Sequence, residues 1–245
     1  MLRHTGKKRT YRHNLRLAVL LCFTAGIVNA AGLFAFAVLT TNVTGHAALL
    51  AHKLALGELR AARMVALWLF LFLAGAFFTA WCIDKTKTDK RFTYTIPIIA
   101  EIAILILVGI FGYTFDNTII KTEYFAGSLL FAMGMQNALV SKISGSVVRT
   151  THLTGMFTDL GIDLYSLLTV AAENKYETKR KVVLRLTIIL FFLAGGITGG
   201  YAFLRLRYHT FYIPAAILVI AIGYDVFRLK FRKMIRKILG TSHRS

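Results

Sequence analysis

Two prolines, two cysteines and eleven acidic residues are a sparse supply for 245 positions, and each shortage closes off a class of function. Cys22 and Cys82 lie in apolar runs without CxxC spacing or a histidine partner, so they read as buried, inert thiols. His46, His52 and His152 have no carboxylate or thiolate companions at ligand spacing, and neither a metal nor another cofactor is expected. A phosphate-cradling loop, a nucleophile elbow and a zinc-protease motif are all missing, so the chain is not expected to be an enzyme. No stretch alternates apolar and polar residues with a period of two, which excludes a membrane β-barrel.

What is abundant is apolar: 56% of the residues, with a mean hydropathy of +0.62. That exceeds the usual composition of a soluble domain and points to an integral membrane protein. The formal charge of +19 raises the question of nucleic acid, which the distribution of basic residues answers. Lys and Arg avoid the apolar runs and crowd the ends, and no aromatic-basic soluble module accompanies them, so no nucleic-acid partner is expected. Basic termini of this kind suit a bilayer surface carrying anionic lipid headgroups.

Six runs are long enough to cross about 30 Å of hydrocarbon as helices: 17–39, 64–83, 92–113, 124–140, 182–203 and 211–227. The first is longer than a signal-peptide core and carries a repeat described below, so it reads as a retained span. With the N-terminus inside, 24 of the 30 Lys and Arg fall in cytoplasmic segments, so both termini are expected in the cytoplasm.

One motif occurs twice. Thr40-Thr41-Asn42-Val43-Thr44-Gly45 interrupts the first apolar run and Thr150-Thr151-His152-Leu153-Thr154-Gly155 follows the fourth. Upstream stand Gly26-Ile27-Val28-Asn29-Ala30 and Gly134-Met135-Gln136-Asn137-Ala138; Phe72-Leu73-Ala74-Gly75 matches Phe192-Leu193-Ala194-Gly195, and Ile96-Pro97 matches Ile213-Pro214. Two homologous halves with three spans each require the second to enter from the opposite side of the membrane. The expected fold is therefore all-α and polytopic: six transmembrane helices in two inverted three-helix repeats, the first helix of each broken or kinked. The expected divisions are a basic N-terminus (1–16), two repeats (17–116 and 117–227) and a basic C-terminus (228–245). Lys53, Glu58, Asp159 and Asp163 argue that the stretches after the breaks are half-helices or interfacial helices rather than full crossings.

Thr, Asn and Gly make poor helix interiors and good helix starts. Each break thus ends one helix and begins another, aiming free N–H groups and a positive dipole end at one place. The substrate-binding candidates are Asn29, Thr41, Asn42, Thr44, Gly45, Gln136, Asn137, Thr151, Thr154 and Gly155. For the asparagines the alternatives are an interhelical hydrogen bond and a pathway lining; for the threonines, backbone satisfaction and solute contact. Glu101, the one carboxylate well inside a span, is a candidate for proton coupling or a packing acid bonded to a kink carbonyl. The expected function is a small secondary transporter or channel for a small polar or charged solute, against a scaffold, sensor or partner subunit that transports nothing. A homodimer is compatible with so small a chain.

At the same residues the chain resembles the YoaK-like family of bacterial inner-membrane proteins, a family without an assigned function. The resemblance runs from Gly26 to Asp225 and is most specific at Asn42 to Gly45, at Gly134 to Ala138 and at Arg149 to Gly155. It implies a multi-pass protein of the bacterial cytoplasmic membrane and no particular substrate. Members typically carry Asp where this chain has Asn29, and Thr-Gly-Asn where it has Thr44-Gly45-His46, so no mechanism that needs a carboxylate at position 29 carries over.

Overall fold

The structure, a computed structural model, describes residues 10–86, 94–115, 118–169 and 172–224. Outside it lie the C-terminal basic segment, residues 1–9 of the N-terminal one, and the expected last span beyond residue 224.

All regular structure among the described residues is helical: α1 (Tyr11–Phe36), α2 (Val43–Ala55), α3 (Leu59–Lys85), α4 (Thr95–Phe111), α5 (Ile119–Ser144), α6 (Leu153–Thr169), α7 (Ala172–Leu206) and α8 (212–224), with 3-10 turns after α4 and α7. Four stretches are long and apolar enough to cross a membrane, rather than the six expected: Tyr11–Phe36, Leu59–Lys85, Thr95–Thr114 and the 50-residue Lys175–Tyr224, which combines α7 and α8. α5 has the length of a span but is not among them, because polar residues such as Gln136 and Asn137 lower its hydropathy; the bundle buries much of its surface. By contrast α3 turns Phe70, Leu73 and Phe77 outward, each more than 60% exposed, a face suited to hydrocarbon and not to water.

The prolines do not kink helix interiors. Pro97 is the third residue of α4 and Pro214 the third of α8. In a first turn a missing N–H costs nothing, so both begin their helices.

Contacts fix the helix directions. Gly195 and Gly199 of α7 face the Phe23 and Ile27 backbone of α1, Phe34 stacks on Phe203, and the Arg180 guanidinium lies over the Tyr11 ring; α1 and α7 run parallel. Gly127 faces Leu71 and the Thr79 hydroxyl donates to the Met135 carbonyl at 3.2 Å, so α3 and α5 are parallel too. α1 and α5 are antiparallel: Gln136 Nε2 donates to the Leu21 carbonyl at 2.9 Å, and Phe36 stacks on Phe125 with centroids 5.3 Å apart.

Glycine permits the two parallel pairings. A Cβ on Gly26 would strike the Phe192 carbonyl oxygen and one on Gly195 the Phe23 carbonyl oxygen; the same reciprocity joins Gly75 to Phe131 and Gly134 to Phe72. Four Phe-x-x-Gly segments thus pair two by two, with backbones close enough for the Cα–H to carbonyl contacts that favour small residues between apolar helices.

The chain turns back on itself after α1 and after α5. α1 ends at Ala37 in the left-handed conformation (φ 55), whose N–H donates to the Leu33 carbonyl. The following residues descend along α1, placing the Thr40 methyl over Gly32 and Thr41 beside Asn29. α5 ends likewise at Gly145 (φ 65), bonded to the Ser141 carbonyl. α2 then runs antiparallel to α3, with His46 edge-on to Trp68, and α6 antiparallel to α7, with Asp159 and Asp163 paired to Arg185. Both short helices begin at mid-bundle, beside Phe72 and Phe192 respectively, and point to opposite ends.

Candidate functional site

The two helix starts open into one cavity of about 630 Å3. Fourteen of its sixteen lining residues form seven pairs separated by 108, 110 or 120 positions: Asn29 and Asn137, Leu39 and Arg149, Thr41 and Thr151, Asn42 and His152, Val43 and Leu153, Thr44 and Thr154, Phe72 and Phe192. Ser141 and Ser146 complete the wall.

Each start follows a polar residue, and the first is capped by its side chain. Asn42 precedes α2 and its Oδ1 accepts from the Gly45 N–H at 2.9 Å. His152 holds the corresponding place before α6: its carbonyl accepts from the Met156 N–H at 3.2 Å, and its ring lies where a side chain at Gly155 would project. Gly45 meets the Asn42 side chain in the same manner. Neither glycine lines the cavity; each keeps room for the residue that precedes its helix.

The halves differ in how the asparagine is used. Asn29 Oδ1 accepts from the Thr41 N–H at 3.1 Å and from the Thr41 hydroxyl at 2.9 Å, tying the first return segment to α1. His46 Nε2 reinforces it by donating to the Leu39 carbonyl at 2.7 Å. In the second half Asn137 Oδ1 is buried with no partner. The offset grows from 108 at the asparagines to 110 at the threonines, so the second return segment is two residues longer. That slack is taken up around Ser144, whose hydroxyl exchanges hydrogen bonds with the Val148 N–H and carbonyl at 3.0 and 3.1 Å.

The two ends of the bundle also differ. Beyond Asn29 the rings of Phe36, Phe115, Phe125, Tyr208 and Phe211 pack together with centroids 4.9–6.3 Å from Phe36. Toward the Tyr11 end a second cavity of about 450 Å3 shares Ser146, Arg149 and His152 with the first and continues past Lys181 and Arg185.

Of the residues marked in the sequence, Asn29, Thr41, Asn42, Thr44, Asn137, Thr151 and Thr154 come together on this wall. Gln136 does not; it is fully buried against α1. Glu101 lies in α4, buried at 1% exposure with Oε1 unpartnered, and is not a lining residue. Pro97 stands in the first turn of α4, and the carbonyl that it would free, at position 93, lies outside the described residues. Arg149, His152, Phe72, Phe192, Ser141 and Ser146 were not marked. Offset matching exposes His152, the partner of Asn42; Arg149 pairs with Leu39, and Phe72 and Phe192 with each other, none of them a candidate.

Fold and site define an all-helical protein of membrane type with a polar cavity between two broken helices. The chain belongs to the family described as proteins of unknown function (DUF1275), whose model matches residues 17–224. No curated protein and no solved structure matches the chain.

Proposed function

We propose that the protein is a small secondary transporter or channel of the bacterial cytoplasmic membrane, built as two inverted three-span repeats, which moves a small polar or charged solute through this cavity. One observation carries the reading: two segments more than a hundred residues apart in sequence meet as seven matched pairs around one cavity at mid-bundle. A fold that used its breaks only as connectors would have no reason to gather both at the same depth. In this arrangement α1, α3, α4, α5, α7 and α8 cross the bilayer, while α2 and α6, of 13 and 17 residues, are half-helices whose N-termini meet at the midplane. Asn29, Asn42, Thr44, Asn137, Thr151 and Thr154 contact the solute, and Glu101 is the proton-coupling group.

The unequal latches supply alternating access. Asn29 holds Thr41 below the aromatic packing of the Phe36 side, beside a groove of about 560 Å3 that runs from Asn29 past Gly196 and Gly200 to Leu204, and the open Asn137 with Thr151 leaves the cavity continuous with the Tyr11 side. The positive-inside distribution assigns the Tyr11 side to the cytoplasm. Exchange of the two latches exposes the site to the other face.

The test is flux of candidate solutes into liposomes carrying the purified chain, with Thr44→Val, Thr154→Val and Glu101→Gln. Under the transport reading the threonine variants assemble at normal levels and lose flux, and Glu101→Gln loses proton dependence. Variants that lower assembly alone, with no flux in any case, would establish the scaffold reading instead.

A further inference from the structure

We propose that the solute is a small oxyanion and that Arg149 supplies its counter-charge; this rests on the transport reading and names the substrate class of the same cavity. Among the described residues that line the cavity, Arg149 alone carries a formal charge and none is a carboxylate. It stands where its partner in the other half is Leu39, so the charge is an addition to the repeat, not part of its frame. The carboxylates of the neighbouring helix are already engaged, since Asp159 and Asp163 both pair with Arg185. Arg149 therefore keeps a planar set of donors for a ligand, the geometry that suits carboxylate, phosphate or sulfate.

A second observation is independent of that charge. Asn137, on the same wall, has a buried Oδ1 without a partner, and a buried polar atom left unpaired bears its full desolvation cost unless something else completes it. The two ends of an amide exchange by rotation, so Asn137 serves an oxyanion either by turning its NH2 toward an oxygen or by accepting from a protonated one. The hydroxyls of Thr44, Thr154 and Ser141 add donors, and the N-termini of α2 and α6 add N–H groups and positive dipole ends. The adjoining cavity is lined by Asp159, Lys181 and Arg185 as well as Arg149; with Arg185 paired to Asp159 and Asp163, Lys181 and Arg149 are the cations left to draw anions in from the Tyr11 end.

The experiment is thermal melting of the full chain in detergent at fixed ionic strength. Sodium phosphate, sulfate, bicarbonate and acetate are compared with ammonium chloride and with zwitterionic glycine, in wild type, Arg149→Gln, Arg149→Lys and Thr44→Val. Excluded salts stabilise any protein without saturation, so the expected result is a saturable rise with at least one oxyanion. Arg149→Gln should weaken its apparent affinity by about tenfold or more, and Arg149→Lys by less, because one charge-assisted bond is worth about 1.5–3 kcal/mol. Neither Arg149 variant removes an ion pair, so both should melt near wild type without solute. A saturable rise with ammonium or glycine that Thr44→Val abolishes and Arg149→Gln spares would overturn the oxyanion class while leaving the transport site standing. Absence of any saturable response overturns both readings, as does a rise equal in wild type and Arg149→Gln for the oxyanion.

Discussion

Gly75 and Gly134 lie back to back where α3 crosses α5, each beneath the carbonyl of the phenylalanine three residues before the other. Gly26 and Gly195 repeat the arrangement where α1 crosses α7. Because the obstacle is backbone, no side-chain rotation makes room for a methyl. Alanine at any of the four should lower stability by about 1–3 kcal/mol, read as a fall in melting temperature of the detergent-solubilised chain. Combining Gly75→Ala with Gly134→Ala should cost less than the sum, since the first methyl already separates the helices. Gly161 is the control: nothing approaches it within 4 Å, so Gly161→Ala in α6 should be neutral or stabilise by up to about 1 kcal/mol through helix propensity. Equal losses at Gly161 and Gly75 would remove the close-packing explanation.

The latch on Asn29 gives a second test. Only Oδ1 is used, accepting from the Thr41 N–H and hydroxyl, and a carboxylate accepts equally well. Asn29→Asp should therefore keep the return segment in place, with a melting temperature close to wild type. Asn29→Leu strands the Thr41 N–H and should cost about 1–3 kcal/mol. A loss in Asn29→Asp as large as in Asn29→Leu would mean that the amide nitrogen, not the acceptor, holds the site.

Gln136 separates polar residues that build the bundle from those that line the cavity. Its side chain donates to the Leu21 carbonyl at 2.9 Å and is fully buried, away from the cavity wall. Gln136→Leu should cost no more than about 0.6–2 kcal/mol, the range for hydrogen bonds between membrane helices, and should leave solute-dependent stabilisation unchanged. If solute response disappears while the melting temperature holds, Gln136 belongs to the site after all.

Much of this was legible because the chain repeats. Composition points to a membrane protein rather than a soluble domain, and the Thr-Gly motifs mark the starts of α2 and α6 through helix-start chemistry at Asn42, Thr44 and Thr154. The third dimension was less accessible. Phe72-Leu73-Ala74-Gly75 and Phe192-Leu193-Ala194-Gly195 were legible as matched repeat segments but not as crossing points; the same spacing at Phe23 with Gly26 and Phe131 with Gly134 was visible but hidden among common membrane residues. Arg149 was counted as one more basic residue beside the membrane, because the depth of a residue in a folded-back loop does not follow from its distance to the nearest apolar run. α5 illustrates the converse. Protein surrounds it, so it tolerates Gln136 and Asn137 and carries a weaker apolar signal than the helices that face outward.

Access to the cavity distinguishes this arrangement from one closed at the Tyr11 end or mounted in the opposite orientation. Ser146 is exposed and lines both connected cavities, whereas Tyr113, 53% exposed, sits with Tyr208 at the Phe36 end. Cys22 and Cys82 are buried at 0% and 3% exposure, so the wild-type chain should react little with a membrane-impermeant maleimide. Ser146→Cys should label in inside-out vesicles and resist labelling in right-side-out ones, and Tyr113→Cys should do the reverse. Interchanged patterns would invert the orientation assigned from basic residues and place the basic approach on the outer face. Labelling of Ser146→Cys from neither side would mean that the cavity is sealed at both ends in the membrane, and alternating access from a Tyr11-open state would fall. Under the alternating-access reading a solute that saturates the site should slow the Ser146→Cys reaction, because Ser146 lies on the wall that the solute occupies.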